Sequence, residues 1–245
     1  ILYKLFERSI GCYFMYRNKI IGILGGMGPY ATSSFFENIL KAVNAKKDWE
    51  YPRLIIDNHT KIPSRSRHIL YNEESPVNEM IVACKQLSNY PVDIIVIPCN
   101  SACCFIKELE NSIKVPIINI IEIAVNSLCN KYKSIKNCAV ISGAVQYRTK
   151  SYRDFLAANK VDYVHHNEVI QEKIEKLIED IKLNPNDELN TYKCNEIILE
   201  IKNEYQVDSI ILGCTEFSCI KIKDYGFPIL DSSLELAKYI AQLKD

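Results

Sequence analysis

The sequence predicts an α/β protein built from two similar halves, each a parallel sheet flanked by helices. Short runs of β-branched residues alternate with amphipathic segments along the whole chain, which is typical of β-α-β units. Three landmarks of the first half also recur in the second half, in the same order and at nearly one offset. Together these observations predict two pseudo-symmetric domains with a cleft between them.

The predicted strands are short and rich in Ile and Val. In chain order they cover Ile20–Leu24, Leu54–Asn58, Val92–Pro98, Val115–Ile120, Asn137–Ser142, Asp162–Val164, Val207–Leu212 and Pro228–Leu230. One helix is predicted to begin near Thr32, and others cover Pro76–Leu87, Val169–Ile181 and Thr191–Glu204. Strands separated by helices of this length pair in parallel, because the helix carries the chain back across the sheet.

The internal repeat is clearest around two cysteines. The segment Val92–Cys99 resembles Val207–Cys214, with the two cysteines 115 residues apart. Two weaker pairs follow the same order: Val115–Ile118 with Phe227–Leu230, and Ile23–Gly25 with Ile141–Gly143. Chance similarity among Ile- and Val-rich strands is the alternative. The repeat predicts one domain from residues 19–119 plus 228–245, a second from residues 120–227, and an N-terminal extension over residues 1–18.

Composition excludes several classes of protein. The 245 residues are enough for two domains of about 100–150 residues each, and 48% of them are hydrophobic. Thirty basic and thirty acidic residues balance without a long basic run, so nucleic acid is not an expected partner. No apolar run reaches the roughly 18 residues that a membrane span needs. Ten scattered cysteines without a Cys-x-x-Cys pair argue against a disulfide scaffold and a structural zinc site, and favour the reducing cytoplasm.

Cys99 and Cys214 each follow a predicted strand and precede a predicted helix. Ligands of α/β sheets bind at the carboxyl ends of the strands, so two facing halves would present one cysteine each to the cleft. Inverting an α-carbon needs one group that removes a proton from one face and another that returns a proton to the opposite face. Two thiols suit this task if a helix N-terminus lowers their pKa. The alternative is that both cysteines are small buried hydrophobes.

The remaining cysteines of the α/β region are interpreted as packing residues; they are Cys84, Cys103, Cys104, Cys129, Cys138, Cys194 and Cys219. A second motif, Gly25–Pro29, follows the first strand and precedes a helix. It fits part of a dinucleotide-binding fingerprint, but Pro29 and the lack of an acidic residue about 20 positions later weaken that interpretation. A backbone nest for a carboxylate and a tight turn without a ligand are the alternatives.

Three stretches together resemble the signatures of the aspartate/glutamate racemase family: Gly25–Thr32, Pro98–Ala102 and Gly213–Glu216. The similarity extends from about Lys19 to the C-terminus. The resemblance implies two α/β domains with the active site between them, and racemisation of aspartate, or glutamate in second place. It also implies that the enzyme needs neither pyridoxal phosphate nor a metal, and that it forms a homodimer.

The resemblance also implies roles for individual residues. The two catalytic cysteines match Cys99 and Cys214. The positions that surround the substrate's α-carboxylate and amino group match Met27, Asn100, Ser101 and Thr215. The basic residues that face the side-chain carboxylate match Arg65 and Lys182.

The chain departs from the family pattern at three single positions and in one turn. Thr is usual where Ser101 stands, His where Cys103 stands, and His where Leu236 stands. A Thr-Gly-Thr turn is replaced by Ala144–Gln146, whose last side chain is larger and differs in hydrogen bonding. These departures leave two alternatives open. One is another enzyme of the wider superfamily, such as a hydantoin racemase or an arylmalonate decarboxylase, and the other is a catalytically impaired amino-acid-binding homologue.

Overall fold

The computed structural model describes residues 19–243. The predicted extension over residues 1–18 and the last two residues lie outside the described residues. Within the described range, each predicted strand is present, and the strands form two separate four-stranded sheets. No helix of this range is both long and apolar enough to cross a membrane.

The first sheet is entirely parallel and has the order β2-β1-β3-β4. Its strands are β1 (Ile21–Gly25), β2 (Leu54–Asn58), β3 (Ile94–Val96) and β4 (Ile117–Ile118). The helices of this half are α1 (Pro29–Val43), α2 (Arg65–Tyr71), α3 (Val77–Ser88), α4 (Ile106–Glu110) and α5 (Ile120–Lys131). Every residue of the central strand β1 is buried, as expected for a strand covered on both faces.

The second sheet is also parallel and has the order β6-β5-β7-β8. Its strands are β5 (Asn137–Ile141), β6 (Asp162–Val164), β7 (Ser209–Leu212) and β8 (Ile229–Asp231). The helices are α6 (Ala144–Thr149), α7 (Arg153–Ala158), α8 (Glu168–Leu183), α9 (Glu188–Tyr205) and α10 (Ser232–Gln242). The two sheets therefore have the same topology: across each sheet, the second strand of that half comes first, followed by the first, the third and the fourth. The predicted fold, two similar α/β halves, is confirmed.

Several element boundaries differ from the sequence prediction, and two of the differences have local reasons. The predicted strand over Val115–Ile120 is cut to two residues, because the side chain of Asn119 accepts a hydrogen bond from the backbone N–H of Ile121 and starts helix α5. Helix α1 begins at Pro29 rather than near Thr32, since a proline suits the first turn, where its missing N–H is not needed.

The C-terminal segment contacts both halves of the molecule. Strand β8 pairs with β7 and so belongs to the second sheet, although the sequence repeat grouped residues 228–245 with the first half. Helix α10, which follows β8 directly, packs against α1 and α5 of the first half. The two sheets share a hydrophobic core in which Ile23, Val140 and Leu236 are fully or almost fully buried. The division of the chain into domains stays a prediction.

Candidate active site

Cys99 and Cys214 occupy equivalent places in the two sheets. Cys99 follows β3 and Cys214 follows β7, the third strand of each half. Both residues have an extended backbone, and a short 3-10 helix begins directly after each, at Asn100–Phe105 and Thr215–Cys219. The repeat that was recognised in the sequence therefore has a structural counterpart, with one thiol at each strand end.

One cavity of about 560 Å³ lies between the carboxyl ends of the two sheets. It is lined by segments that follow β1, β2, β3, β5 and β7, together with one face of helix α8. All eight predicted site residues line this cavity: Met27, Arg65, Cys99, Asn100, Ser101, Lys182, Cys214 and Thr215. The structure thus brings together residues that are up to 188 positions apart in the chain.

The glycine turn after β1 shapes one wall of the cavity. Gly26 has a φ of +84°, and a Cβ at this position would lie 2.4 Å from the backbone carbon of His59. Only glycine fits this close approach without strain. The N–H of Gly26 donates to Oγ1 of Thr32 at 2.9 Å, so one donor of the predicted anion-binding nest is already paired. The turn places Met27 and Gly28 in the cavity lining.

A carboxylate that the sequence analysis did not single out lies beside Cys214. The Sγ–H of Cys214 donates to Oε2 of Glu216 at 2.9 Å, and the Glu216 side chain is itself buried in the cavity wall. Burial raises the pKa of Cys214 well above its ordinary value, and the charge of Glu216 raises it further. The expectation that a helix N-terminus lowers this pKa is therefore wrong. The sequence signal that could have predicted this contact is Glu216 itself, which follows Cys214 by two residues in the same turn.

Asn100 is held in place by the second half of the molecule. The hydroxyl of Tyr152 donates to its Oδ1 at 2.5 Å, and its Nδ2 donates to Oγ of Ser232 at 3.1 Å. Tyr152, Asn100 and Ser232 are all buried. These bonds use the carbonyl of the Asn100 amide and one of its two N–H groups, so one N–H remains for a ligand.

Arg65 is positioned by backbone carbonyls and not by acidic side chains. Its Nη1 donates to the carbonyls of Ile62 at 3.3 Å and Pro63 at 3.0 Å, and its Nη2 donates to the carbonyl of Met27 at 3.2 Å. The Nε is buried without a hydrogen-bond partner among residues 19–243. No described carboxylate lies within ion-pair distance of this guanidinium. A fixed cation without a counter-ion is well suited to an anionic ligand.

Lys182 lies in the last turn of α8, and its Nζ is 2.7 Å from Oε1 of Glu179. Burial alone would lower the pKa of Lys182, but the hydrogen bond to Glu179 and the charge of Glu216 raise it above the ordinary value. Lys182 is therefore a cation at neutral pH. The cavity lining holds three cationic side chains, Arg65, Lys176 and Lys182, and three carboxylates, Glu175, Glu179 and Glu216.

A family model described as Asp/Glu/Hydantoin racemase matches residues 24–240. The chain belongs to the Asp/Glu/hydantoin racemase family. The predicted resemblance is thereby confirmed, and so is the predicted enzyme class, an isomerase of the racemase type.

Individual relatives in this racemase family cover nearly the whole chain. The broad specificity amino-acid racemase RacX of Bacillus subtilis is 28% identical over 224 residues, which cover 89% of this chain and 95% of that protein. The solved structure of Picrophilus torridus aspartate racemase is 30% identical, with a TM-score of 0.79 over 92% of this chain and 96% of the other. An aspartate racemase homologue from Pyrococcus horikoshii shares the fold at 20% identity, with a TM-score of 0.73 and coverage of 92% and 98%.

The departures from the racemase pattern fall in two environments. Ser101 and Gln146 contact each other at the cavity, where Oγ of Ser101 donates to Oε1 of Gln146 at 3.2 Å. Leu236 instead lies fully buried in the core on α10, where it packs among apolar side chains. Cys103 also lies outside the cavity lining, and its Sγ donates to Oδ1 of Asn119.

The other cysteines mostly behave as predicted for packing residues. Burial raises the pKa of each fully buried thiol to about 12, at Cys84, Cys138 and Cys194. Three more are partly buried, at Cys103, Cys129 and Cys219. Cys104 is exposed, so the packing prediction is wrong there, because the 3-10 helix turns this residue away from the core. Within residues 19–243, no group of three or more His, Cys, Asp or Glu side chains is arranged to hold a metal ion.

Proposed function

We propose that this protein racemises an acidic amino acid, aspartate first and glutamate second, by proton transfer through Cys99 and Cys214 without a cofactor. The observation that carries this proposal is the placement of two thiols at equivalent strand ends of pseudo-symmetric halves, opening on one cavity. That cavity also holds Arg65, a cation that forms no ion pair within residues 19–243.

The proposed reaction needs one sulfur without a proton and one with a proton. Cys99, as thiolate, removes the α-proton from one face of the substrate, and the electron pair remains on the α-carbon. The S–H of Cys214 then delivers its proton to the opposite face, so the enantiomer is formed and the two thiols have exchanged roles. The reverse reaction uses Cys214 as the base. Before the reaction, one thiol must carry a proton. The hydrogen bond that Cys214 donates to Glu216 supports Cys214 as that thiol for the enantiomer whose α-proton faces Cys99.

Two basic residues support a dicarboxylic substrate. Arg65 offers N–H donors that no described carboxylate occupies, and the raised pKa of Lys182 keeps its charge. A guanidinium binds a carboxylate better than a neutral group because each N–H bond is charge-assisted. The likeness to the solved aspartate racemase of Picrophilus torridus favours aspartate over glutamate.

A broader substrate range is the second candidate. The three carboxylates of the lining balance its three cations, so the cavity as a whole is not strongly positive. The curated relative named as a broad specificity amino-acid racemase fits this alternative. Assembly as a homodimer and location in the cytoplasm stay predictions.

A chiral screen tests the proposal directly. Purified protein is incubated with each L-amino acid, without added cofactor and with a chelator, and the D-enantiomer is measured by chiral chromatography. Aspartate is expected to racemise fastest. Comparable rates for neutral amino acids would favour the broad-range alternative, and no racemisation of any amino acid would contradict the proposal and favour a binding homologue. Activity that appears only with added pyridoxal phosphate or metal would overturn the two-thiol mechanism.

The variant Arg65→Ala separates the two substrate ranges. If Arg65 binds the side-chain carboxylate, kcat/KM for aspartate falls on the order of 10²-fold, because a half-buried charge partner is lost. Turnover of alanine, which lacks that carboxylate, is expected to change little. Equal losses for both amino acids would show that Arg65 acts on the shared part of the substrate or on folding, which thermal unfolding of the variant would distinguish.

A further inference from the structure

The imidazole of His59 connects the loop after β2 to helix α3. Nδ1 of His59 accepts a hydrogen bond from the backbone N–H of Lys61 at 3.3 Å, and Nε2 lies 2.9 Å from Oε1 of Glu79. A backbone N–H can only donate, so Nδ1 carries no proton and the ring proton is on Nε2. Nε2 therefore donates to the Glu79 carboxylate, and both nitrogens of the ring are in use.

This loop, residues 59–64, leads directly to Arg65 and forms part of the cavity wall. It has no regular secondary structure between the end of β2 at Asn58 and the start of α2. Three of its residues belong to the cavity lining: Thr60, Ile62 and Ser64. A loop without the hydrogen bonds of a helix or a sheet depends on single contacts for its conformation, and the two hydrogen bonds of His59 are such contacts.

Backbone carbonyls of the same loop set the direction of the Arg65 side chain. Nη1 of Arg65 donates to the carbonyls of Ile62 and Pro63, which both belong to the loop. Nη2 donates to the carbonyl of Met27, which lies in the glycine turn that packs against the His59 backbone. A shift of the loop would therefore move the acceptors that hold the guanidinium. Because these acceptors are neutral, they orient Arg65 without cancelling its charge.

His59 and Glu79 act from outside the cavity. Neither residue belongs to the cavity lining, so a substrate in the cavity contacts Arg65 and not His59. We propose that His59 is a positioning residue for Arg65: its two hydrogen bonds fix the loop whose carbonyls hold the guanidinium at the cavity wall. This inference rests on the proposed function and deepens it, because it gives a role in substrate recognition to a residue that the proton transfer does not use.

A double-mutant cycle tests whether His59 acts through Arg65. His59→Ala removes both hydrogen bonds of the ring and is measured alone and together with Arg65→Ala. We expect His59→Ala to lower kcat/KM for aspartate about 10-fold, mainly through a higher KM, because the guanidinium is misplaced but not lost. In the Arg65→Ala background the same change is expected to have no further effect. Amino acids whose turnover is unchanged in Arg65→Ala should also be unaffected by His59→Ala.

The carboxylate partner of His59 offers a second test with a matched control. The Glu79 side chain is 44% exposed, and that of Glu73 is 43% exposed, but Glu73 bonds Arg67 and lies outside the cavity lining. Glu79→Ala should reproduce part of the loss seen in His59→Ala, whereas Glu73→Ala should leave kcat/KM unchanged. Glu79→Gln keeps an acceptor oxygen for Nε2 of His59 and is expected to restore most of the activity that Glu79→Ala loses.

Two further measurements do not depend on catalysis. In His59→Ala the backbone N–H of Lys61 loses its acceptor, so hydrogen–deuterium exchange of peptides that cover residues 59–65 should become faster. Peptides from the second sheet should exchange as in the wild type. Binding of succinate, a dicarboxylate without an amino group, is measured by calorimetry and should weaken about 10-fold in the same variant.

The outcomes separate this inference from the proposed function. An unchanged kcat/KM in His59→Ala, additive losses with Arg65→Ala, unchanged exchange of residues 59–65, or equal losses in Glu79→Ala and Glu73→Ala would each overturn the inference, even if the wild type racemises aspartate. Succinate binding that weakens in His59→Ala, in a protein that racemises no amino acid, would support the inference and overturn only the proposed function. A wild type that neither binds succinate nor racemises an amino acid overturns both.

Discussion

The two strand ends that carry cysteines share a backbone but differ in their side chains. At each, an extended cysteine follows the third strand of its sheet and a short 3-10 helix begins at the next residue. Two residues after Cys99 the chain has Ser101, whereas two residues after Cys214 it has Glu216. The hydroxyl of Ser101 donates a hydrogen bond to Gln146, while the carboxylate of Glu216 accepts a hydrogen bond from the neighbouring thiol. The first strand end thus has a neutral side chain where the second has an acid.

Under the proposed mechanism, this difference lets two similar halves serve a reaction that needs unequal partners. The repeat supplies two thiols in matching positions, but racemisation requires one of them to carry a proton. Among the described residues, the thiol of Cys214 donates a hydrogen bond to a carboxylate, whereas Sγ of Cys99 has no hydrogen bond with a side chain. Under the proposed mechanism, the side chains two positions after each cysteine break the symmetry that the backbone maintains.

The largest expected effect comes from removing either thiol. Cys99→Ala and Cys214→Ala should each lower the racemisation rate by about 10²–10⁴-fold, since a general acid/base group is lost. In deuterated water the remaining thiol is expected to exchange the α-proton of the enantiomer that faces it, so the two variants should prefer opposite enantiomers. Exchange is followed by mass spectrometry of the separated enantiomers.

The matched control for this pair is Cys104→Ala. Cys104 is an exposed cysteine outside the cavity lining, and its loss should leave racemisation unchanged. Near-normal racemisation by Cys99→Ala or Cys214→Ala would contradict the two-thiol mechanism. The same enantiomer preference in both variants would contradict the assignment of one thiol to each face.

A smaller effect is expected from Glu216→Gln, which makes the two strand ends more alike. The negative charge of Glu216 disfavours a thiolate on Cys214, so its removal lowers the pKa of Cys214. The thiolate then forms at lower pH, and the pH at which alkylation of Cys214 reaches half its maximal rate moves down. Rates of iodoacetamide labelling at Cys99 and Cys214 are measured by peptide mass spectrometry across the pH range.

In that experiment the alkylation rate of Cys99 as a function of pH serves as an internal reference. Its midpoint should shift less along the pH axis than the midpoint for Cys214. Glu172→Gln, an exposed position on the same helix as Lys182, controls for a change of net charge away from the thiol and should move neither curve. A Cys214 curve that stays in place or moves to higher pH would show that Glu216 does not set the protonation of this thiol.

Local sequence patterns predicted the frame of the site but not the contacts that tune it. The repeat around Cys99 and Cys214 placed both thiols correctly, because strand ends follow from hydrophobic runs and turn residues. The contacts of Asn100 with Tyr152 and Ser232 span 52 and 132 residues, and no local pattern encodes them. Local reasoning likewise could not show that β8 joins the second sheet, because strand order depends on long-range packing.

The thiol pKa was predicted wrongly for a physical reason. A helix N-terminus lowers a thiol pKa when its dipole outweighs desolvation. The helix after Cys214 is a 3-10 helix of five residues, and burial together with Glu216 dominates there. The identity of Glu216 was visible in the sequence, but the direction of its side chain toward Sγ became evident in the structure.

The smallest expected effect concerns the hydrogen bond between Tyr152, in the second half of the molecule, and Asn100, which follows Cys99 in the first half. Tyr152→Phe removes the hydroxyl that donates to Oδ1 of Asn100, and this buried oxygen is then left without a described donor. The free energy of unfolding is expected to fall by about 1–3 kcal/mol, the usual cost of an unpaired buried polar group. The pH dependence of alkylation at Cys214 should not change, since Glu216 is untouched.

Urea denaturation gives the free energy of unfolding, and Tyr163→Phe is the matched control. Tyr163 packs against the same core, and its hydroxyl has no side-chain or backbone partner among residues 19–243, so its removal should cost little. An equal decrease in the free energy of unfolding in both variants would mean that the hydrogen bond of the Tyr152 hydroxyl does not stabilise the fold. A loss at Tyr152 alone, with a severalfold lower kcat/KM and an unchanged Cys214 curve, would show that Asn100 depends on the opposite half for its position. The strand end without a carboxylate would then be organised by long-range hydrogen bonds, and the strand end with one by a residue of its own turn.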